Sequence, residues 1–505
     1  MPLCAIEPSH GHLSNHDDRH TWIQDLAHLT LYMSHFTQNP NYRAALEIVR
    51  TLASAGHQAF FAGGCVRDLL LDLDPTDFDV ATSAMPDQVA ALFARTQAVG
   101  AHFGVILAAP EGATSEKTDA IEVATFRHDG VYSDGRRPDA VRFSTDPQED
   151  VQRRDFTING MLLDALTYER TGNLDASVLD FVGGRKDLTA KLLRAIGVPA
   201  TRFAEDKLRM LRGVRFAARL GLTIDPATLS ALQKQAGTIE QVSCERIREE
   251  LTRMLTEGKA RSAFELLDVT GLLPCVLPEV KRLQGVAQPP EFHPEGDVWV
   301  HTLLLLEGLQ PGCSSTLAWG TLLHDIGKPA TYQPPNPAIP GDRIRFNGHV
   351  EVGVRVAEVI LERLRFSVDD TAQILALIKN HMRFGDILHM RASTLKRFLR
   401  LPHFEEHLAL HRMDCLAAHG DLRLYEFARQ HFESSPPEDL RPKLLITGRD
   451  LIAAGYRPGA QFKEMLEFAE DAQLEAQIAT RSDALKLLRD RFGPPPQAFS
   501  TLTSA

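Results

Sequence analysis

Two acidic residues near the first quarter of the chain stand at a spacing that suits metal chemistry. Asp77 and Asp79 alternate with Phe78 and Val80 in DFDV. Successive side chains of a strand point to opposite faces, so we expect both carboxylates on one face, about 7 Å apart. Two such charges repel each other unless a cation lies between them, and carboxylate oxygens suit Mg²⁺. We interpret both acids as catalytic magnesium ligands.

Residues around this pair indicate a phosphate-binding site. The glycines of GGCVRDLLL, Gly63 and Gly64, let the backbone approach a ligand closely, and Arg67 supplies a guanidinium for phosphate. Glu122 lies in the strand-like run AIEVATFR and is the candidate for a third metal-facing carboxylate. The alternative for Glu122 is an acid that faces water from an edge strand.

The segment DVQRRDFTINGMLL, residues 150–163, carries a second set of binding groups. Arg154 can donate paired hydrogen bonds to phosphate or ribose oxygens, and Asp155 can accept a hydrogen bond from a ribose hydroxyl. We predict that an amphipathic helix follows Asp155 and buries Phe156, Ile158 and Met161. The alternative is a plain surface cluster of ion pairs.

The segment 203–222, FAEDKLRMLRGVRFAARLGL, is predicted to be one helix, with Asp206 and Arg209 as neighbours on its surface. An Asp acceptor beside an Arg donor matches the amino donor and ring-nitrogen acceptor of cytosine and adenine, an order that uracil and guanine reverse. Arg212 and Arg215 rotate away from this face, so we assign them to phosphates or to structural pairing. An exposed salt bridge is the alternative for any single pair.

A different constellation occupies the second half of the chain. A lone histidine near a helix end is usually structural, but an adjacent His-Asp pair flanked by further histidines on four helices is not readily explained as core filling. Imidazole and carboxylate together suit divalent transition metals, which can turn a bound water into a nucleophile. The candidate ligands are His301, His324, Asp325, His349, His381 and Asp414.

Length and composition indicate a multidomain protein of the cytoplasm. The chain has 505 residues, 44% of them hydrophobic and 24% charged, with no apolar run near the ~20 residues of a membrane span. No secretory signal is apparent, and six scattered cysteines without a C-x-x-C pair suit reduced thiols. The net charge of −11 argues mildly against nucleic acid, but the arginines cluster locally, so we keep an RNA partner.

Taken together, the strings GGCVRD, DFD, RRDFTIN and EDKLRMLRGVRF resemble the class II nucleotidyltransferases, which comprise the tRNA CCA-adding enzymes and bacterial poly(A) polymerases of the DNA polymerase beta superfamily. One departure is Gly160, where alanine is common. The series H…HD…H…H…D resembles the HD phosphohydrolase superfamily, and some CCA-adding enzymes carry such a domain. Residues 128–144, which include Asp134 and Asp139, resemble the family's flexible loop.

The resemblance implies an α/β nucleotidyltransferase head followed by all-α neck, body, HD and tail regions. We expect a disordered extension at 1–42, the head at 43–190 and a nucleotide- and RNA-binding neck and body at 191–288. An HD domain at 289–420 and a helical tail at 421–505 would follow.

The implied activity is template-independent addition of CCA, or of its terminal A, to the 3′ end of tRNA from CTP and ATP, with release of pyrophosphate. Asp77 and Asp79, with Glu122, would hold two Mg²⁺ ions, and the HD domain would hydrolyse phosphate mono- or diesters. A poly(A) polymerase is the nearest alternative, although VGAHFGV at 99–105 favours the CCA enzymes. A metal-dependent phosphohydrolase with an RNA-binding head is the alternative from another class.

Overall fold

The computed structural model describes residues 36–100, 104–110, 120–130 and 140–495. Several predictions lie outside these residues: most of the N-terminal extension, the centre of the flexible loop with Asp134 and Asp139, part of VGAHFGV, and the last ten residues of the tail. The chain divides after Gln241 into two compact units, called here the first and the second unit.

The first unit is built on a mixed seven-stranded sheet of order β3-β4-β5-β2-β1-β8-β9. Only the β2–β5 pair is parallel among the neighbours in this sheet. Two short pairs, β6–β7 and β10–β11, complete the β-structure of the described residues. The strands are β1 Ala59–Ala62, β2 Asp79–Thr82, β3 Arg95–Gly100, β4 Val105–Ala109, β5 Ile121–Thr125, β6 Arg127–Asp129, β7 Val141–Phe143, β8 Met161–Leu163, β9 Val178–Asp180, β10 Leu192–Leu193 and β11 Thr223–Ile224.

Short helices cover this sheet. Phe78 and Val80 are buried, as the alternation in DFDV predicts, and Phe78 packs edge-to-face on Phe61 with ring centres 5.5 Å apart. The helices are α1 Pro40–Ser54, α2 Gly64–Leu70, α3 Pro86–Leu92, α4 Pro147–Gln152, α5 Ala165–Thr171, α6 Leu174–Ser177, α7 Gly184–Thr189, α8 Pro199–Glu205, α9 Arg209–Leu220 and α10 Pro226–Gln235.

The prediction of an amphipathic helix directly after Asp155 is wrong, although Phe156, Ile158 and Met161 are buried as predicted. Helix α4 ends at Gln152, a 3₁₀ turn follows at Thr157–Asn159, and Met161–Leu163 forms strand β8 between β1 and β9. All three residues of β8 are buried, because an interior strand is covered on both faces. Glycine at position 160, where alanine is common in the resembled family, has a steric explanation. A Cβ there would lie only 2.8 Å from Cγ2 of Val182.

The prediction of one helix over 203–222 is also wrong. Helix α8 ends at Glu205 and α9 begins at Arg209, so Asp206 and Arg209 lie on either side of a turn. Asp206 is extended, and its carboxylate accepts a hydrogen bond from the backbone N–H of Leu208 at 3.1 Å. A short acidic side chain that bonds its own backbone two residues on favours a turn over a helix interior.

The second unit consists of helices joined by loops, with no strand longer than an isolated bridge among its described residues, and Trp319 is among its largest fully buried side chains. No helix of the described chain has both the length and the apolar character needed to cross a membrane. The helices are α11 Cys244–Thr256, α12 Ala260–Val269, α13 Leu273–Val276, α14 Pro278–Lys281, α15 Val298–Gly308, α16 Ser315–Leu323, α17 Lys328–Thr331, α18 His349–Arg363, α19 Val368–Asn380, α20 Ala392–Leu399, α21 Phe404–Ala417, α22 Arg423–Ser434, α23 Pro437–Leu440, α24 Gly448–Ala453, α25 Gln461–Leu474 and α26 Arg481–Phe492.

Candidate nucleotide and metal sites

A cavity of about 230 Å³ lies over strands β2 and β5 of the first unit. It brings together Asp79, Glu122 and Arg154, three of the residues predicted from the sequence. Its walls also contain Ala62, Val80, Val105, Ala124, Arg127 and Arg153. The lining of this cavity therefore contains both acids and guanidinium groups.

The acidic side of this cavity comes from two parallel strands. Val80 of β2 pairs with Val123 of β5, so Asp79 and Glu122 occupy the preceding positions side by side. Strand β5 lies between β4 and β2, so Glu122 is not on an edge strand. Asp77 lies two residues ahead of β2 rather than within it, which differs from the prediction of a shared strand.

The electrostatics of this acid group suit a divalent cation. Enclosure in the cavity and the charges of Glu122 and Asp77 raise the pKa of Asp79 to about 6, while Arg154 opposes the rise. Asp79 and Glu122 both remain accessible to solvent, so a hydrated ion can reach them. Clustered carboxylates that repel one another and face an open cavity fit Mg²⁺, which keeps several waters when bound.

The basic side of the cavity is held by one buried acid. Oδ1 of Asp150 accepts from Nε of Arg153 at 2.8 Å, and Oδ2 accepts from Nη2 of Arg154 at 3.0 Å. Although burial of the Asp150 carboxyl opposes it, the two guanidinium groups lower its pKa. We did not assign Asp150 a role from the sequence, but its i,i+3 and i,i+4 spacing to the two arginines is a readable signal.

Arg154 also explains the first glycine of the GGCVRD string. Gly63 has a positive φ of 78°, and a Cβ on it would lie 3.0 Å from Nη1 of Arg154. Gly64 begins helix α2 directly afterwards. The guanidinium therefore lies over a backbone that only glycine provides without strain or crowding.

Arg67 lies behind the cavity rather than in its wall. It is only 3% exposed, and its guanidinium donates to Oδ1 of Asn159 at 2.6 Å and to Oδ1 of Asp68 at 2.8 Å. Its predicted contact with phosphate stays a prediction, and the observed geometry gives it a supporting place under the glycine turn.

Asp155 is likewise engaged within the protein. Its Oδ1 accepts from Nδ2 of Asn159 at 3.1 Å, and its Oδ2 accepts from Nε of Arg212 at 2.8 Å. Burial opposes ionisation, but the charge of Arg212 and these hydrogen bonds lower the pKa of Asp155 to about 2. Asn159 thus connects Arg67 with Asp155.

Asp206 and Arg209, the pair that we predicted to recognise the nucleobase, lie at the turn between α8 and α9. Nη1 of Arg209 donates to Oε2 of Glu205 at 2.6 Å, and its Nη2 donates to the carbonyl of Arg153 at 3.0 Å. Glu205, to which the sequence assigned no role, fixes this guanidinium. Arg215 is buried, with its guanidinium 4.4 Å from the ring centre of Phe216, in accord with the structural option for that residue.

The second unit gathers all six predicted metal ligands at one cavity or directly behind it. The ligand atoms of His301, His324 and Asp414 lie within 4.8 Å of one another, and so do those of Asp325, His349 and His381. Asp325 also belongs beside the first group, because its Oδ2 lies 3.2 Å from Nε2 of His324. This carboxylate therefore stands between both donor groups.

The state of these side chains fits a metal centre. Nε2 of His324 and both ring nitrogens of His301 are buried without an aligned hydrogen-bond partner in the described part of the chain. Burial lowers the pKa of His381 to about 4, which keeps its imidazole neutral. Burial opposes ionisation of Asp325, but the charges of Lys328 and His324 hold its pKa well below the usual range. Neutral imidazoles and ionised carboxylates are the forms that bind metal. Although burial opposes it, Asp414 and Glu295 raise the pKa of His301 to about 9, so this ring would release a proton when it binds metal.

The cavity in front of these ligands has a volume of about 570 Å³. Several of its residues were not assigned a role from the sequence. Nζ of Lys328 lies 2.6 Å from Oδ2 of Asp325, and the guanidinium of Arg343 lies 5.0 Å from the ring centre of Phe292. The sequence places Lys328 three residues after Asp325, a spacing that could have indicated this contact.

Three family models match successive parts of the chain. Residues 59–194 match the poly A polymerase head domain, and 221–283 match the probable RNA and SrmB-binding site of polymerase A. Residues 298–488 match the HD domain and extend beyond 420, where we placed its end. The predicted domain boundaries stay predictions.

The chain is also similar to CCA-adding enzymes. It is 43% identical to that of Bacillus subtilis (strain 168) over 228 residues, which are 45% of this chain and 54% of the relative. The chain thus spans about half the length of that relative in the match. With the CCA-adding enzyme of Bacillus pumilus (strain SAFR-032) it shares 28% identity over 89% of this chain and 96% of the relative.

The similarity extends to a solved structure. The CCA-adding enzyme of Bacillus stearothermophilus in complex with CTP superposes with a TM-score of 0.65 and 25% identity, over 90% of this chain and 99% of that one. The head, the RNA-binding region and the HD domain follow in the order that the resemblance implied. The chain therefore matches the poly A polymerase head domain, the RNA-binding region of polymerase A and the HD domain in succession, and it is similar over most of its length to CCA-adding enzymes.

Proposed function

We propose that this protein adds CCA, or its terminal A, to the 3′ end of tRNA from CTP and ATP without a nucleic-acid template, in the cytoplasm. The observation that carries the proposal is the cavity in which Asp79 and Glu122 face Arg154 across the glycine turn. The CCA-adding relatives and the CTP complex of one of them support the choice of substrates.

The predicted residues at and beside this cavity have separate roles in the proposal. Asp77, Asp79 and Glu122 would hold Mg²⁺, which supplies charge neutralisation at the triphosphate and lowers the pKa of the RNA 3′-hydroxyl. Arg154 binds triphosphate or ribose oxygens, and Asp150 keeps its guanidinium directed into the cavity. The backbone at Gly63 leaves the space that this contact needs.

Selection of the base is proposed for the turn between α8 and α9. Asp206 offers an acceptor and Arg209 a donor, which complement the edges of cytosine and adenine. Glu205 and the carbonyl of Arg153 hold the Arg209 guanidinium in place, so the pair is preorganised. Asp155, Arg212 and Arg215 would support this wall or contact phosphates.

Nucleotide addition by purified protein with Mg²⁺ tests the proposal. The substrates are tRNAs that end at the discriminator base, at C and at CC, and the products are sequenced. Addition of CCA, CA and A respectively, followed by arrest, is the expected result. Addition to the CC-ending tRNA alone identifies an A-adding enzyme, and long A tails identify a poly(A) polymerase.

The Asp79→Ala variant should lose this activity while it retains any hydrolysis by the second unit. Unchanged addition by Asp79→Ala would overturn the assignment of the cavity. Failure of the wild-type protein to extend any of these RNAs would overturn the proposed function itself.

A second function is proposed for the HD cavity, namely hydrolysis of phosphate mono- or diesters with a divalent transition metal. The supporting observation is that Lys328 and Arg343 place cationic groups in the cavity that contains Asp325, His349, His381 and Asp414. Release of nitrophenol from bis-(p-nitrophenyl) phosphate with Mn²⁺, Co²⁺ or Ni²⁺ tests it. The activity should disappear in His324→Ala and persist in Asp79→Ala.

A further inference from the structure

We propose that Glu295, a residue outside the predicted ligand set, is a positioning residue that fixes His301 in the form needed for metal binding. The inference rests on the proposed metal centre of the HD cavity. Glu295 lies in the loop before helix α15, and His301 lies in the first turns of that helix.

The carboxylate of Glu295 lies between two histidines. Its Oε1 is 2.7 Å from Nδ1 of His301 and 2.9 Å from Nδ1 of His293. The side chain of His301 is fully buried and that of Glu295 is 6% exposed, so little water screens the contact. On the opposite edge of the ring, Nε2 of His301 lies 3.1 Å from Oδ1 of Asp414.

This arrangement determines which ring nitrogen carries the proton. A carboxylate oxygen 2.7 Å from an unprotonated nitrogen would bring two lone pairs together, so Nδ1 of His301 must be the protonated position. Nε2 is the atom that faces Asp414 and His324, so a metal bound there would take the place of the Nε2 proton while Nδ1 keeps its own. The Nδ1 contact is not aligned as a hydrogen bond, but the polar N–H is attracted to the carboxylate without that alignment.

The loop that presents Glu295 is held from both sides. The backbone N–H of Gln288 donates to the carbonyl of Gly296 at 2.8 Å, and the N–H of Gly296 donates to the carbonyl of His293 at 3.0 Å. Two residues beyond Glu295, the carboxylate of Asp297 caps helix α15 by accepting from the N–H of Trp299 at 2.8 Å. Glu295 is therefore fixed relative to the helix that carries His301.

Glu295 thus has the geometry of an outer carboxylate that orients a ligating imidazole. Residues of this kind change metal affinity by about 10- to 100-fold when they are removed, because the ligand loses its orientation and basicity. The ligand set itself stays complete in such a variant. The effect should therefore appear in metal affinity and not as complete loss of the centre.

Titration of the full chain with Co²⁺ tests the inference, with excess Mg²⁺ present to occupy the carboxylates of the first unit. The visible absorption of Co²⁺ reports on its ligands, and competition with a chelator gives its affinity. Glu295→Gln should weaken Co²⁺ binding by about 10- to 100-fold and shift the visible band. Glu295→Asp, which restores a carboxylate, should recover part of the loss.

Asp297→Asn is the matched control, because it loosens the same loop and the same helix start without touching His301. It should leave the Co²⁺ spectrum and affinity close to those of the wild type. Equal weakening by Asp297→Asn, or an unchanged spectrum and affinity in Glu295→Gln, would overturn the positioning role. Absence of histidine-ligated Co²⁺ in the wild type would instead overturn the proposed metal centre, and the inference with it.

Discussion

Asp79 and Glu122 stand side by side on the parallel strands β2 and β5, one position before the Val80–Val123 pair. The two carboxylates and the guanidinium of Arg154 line the same cavity. In the absence of metal their repulsion opposes folding. The proposed activity therefore depends on two carboxylates whose mutual repulsion lowers the stability of the metal-free fold.

We expect Asp79→Asn to stabilise the metal-free first unit and to abolish its stabilisation by Mg²⁺. The pKa of Asp79 in the folded state, about 6, lies above its value in the unfolded chain. The ionised carboxylate therefore destabilises the fold at pH 7, and this destabilisation is relieved as the pH falls through 6. Because Asp79 is accessible to solvent, we expect a gain of at most about 1 kcal/mol, or a few degrees in Tm. Thermal melts at pH 5 and pH 7, with and without Mg²⁺, measure it.

The exposed residue Asp87 in the first turn of α3 provides the control for this experiment. Asp87→Asn should leave the response to Mg²⁺ unchanged. A melt of Asp79→Asn that still rises with Mg²⁺ as in the wild type would contradict the metal role of Asp79.

Gly63→Ala should impair nucleotide binding more than it impairs stability. The new Cβ would lie 3.0 Å from Nη1 of Arg154 and would displace the guanidinium from the cavity. We expect a rise in the KM for CTP and ATP of about 10-fold, which corresponds to the loss of one charged hydrogen bond. Steady-state addition to tRNA, together with a thermal melt, gives both quantities.

Gly183→Ala is a control for a positive φ without crowding of Arg154. Gly183 has the same φ of 78°, but a Cβ there would meet nothing within 4 Å. With a ψ of 25° Gly183 is in the left-handed region, where alanine costs about 1 to 2 kcal/mol, whereas Gly63 has a ψ of −126°, a conformation that costs alanine more. If Gly183→Ala raised the KM as much as Gly63→Ala does, crowding of Arg154 would not be the cause.

Asp155→Asn should destabilise the first unit by about 2 to 3 kcal/mol at neutral pH, because it removes the ionised partner of Arg212. The pKa of Asp155 is lowered to about 2, so its contribution is fully present above pH 4 and is lost as the pH falls towards 2. Urea unfolding of both proteins between pH 7 and pH 3 measures the difference. A gap that widened towards low pH would contradict the ion pair.

Lys328→Met should destabilise the second unit and make it dependent on metal. The change leaves Asp325, which is 2% exposed, without its cation, and breaking a buried pair costs about 3 to 5 kcal/mol. A divalent ion beside Asp325 should restore part of the loss. Chemical unfolding with and without Co²⁺ measures the effect, and Lys379→Met, at an exposed position of α19, should show neither change.

The short motifs could be interpreted from the sequence because the functional groups of each lie within a few residues of one another. GGCVRD predicts the glycine turn, which the structure contains, and DFD predicts a strand that carries both acids, whereas the observed strand β2 begins at Asp79 and leaves out Asp77. The MLL run was taken for a helix face because a short buried apolar run has no periodicity that separates strand from helix. The turn at Asp206 was missed because one side-chain-to-backbone bond interrupts an otherwise helical pattern.

Other features depend on residues that are distant in sequence. Arg67 has the type and place of a phosphate ligand, but its guanidinium is bonded to Asp68 and to Asn159, 92 residues away, and lies outside the cavity wall. Glu295 precedes His301 by six residues across a loop and a helix cap, a spacing that has no periodic signature. These relationships follow from tertiary packing, which no local pattern of residues encodes.

The shared place of Asp325 constrains how the second unit can change over evolutionary time. Its carboxylate lies beside His324 in one donor group and, with His349 and His381, belongs to the other. A substitution at this position changes both donor groups at once, so it must preserve the ligand geometry of both. The position is in this sense pleiotropic. Divergence of the HD cavity towards new substrates should therefore proceed through wall residues such as Arg343 and Phe292, which belong to neither donor group.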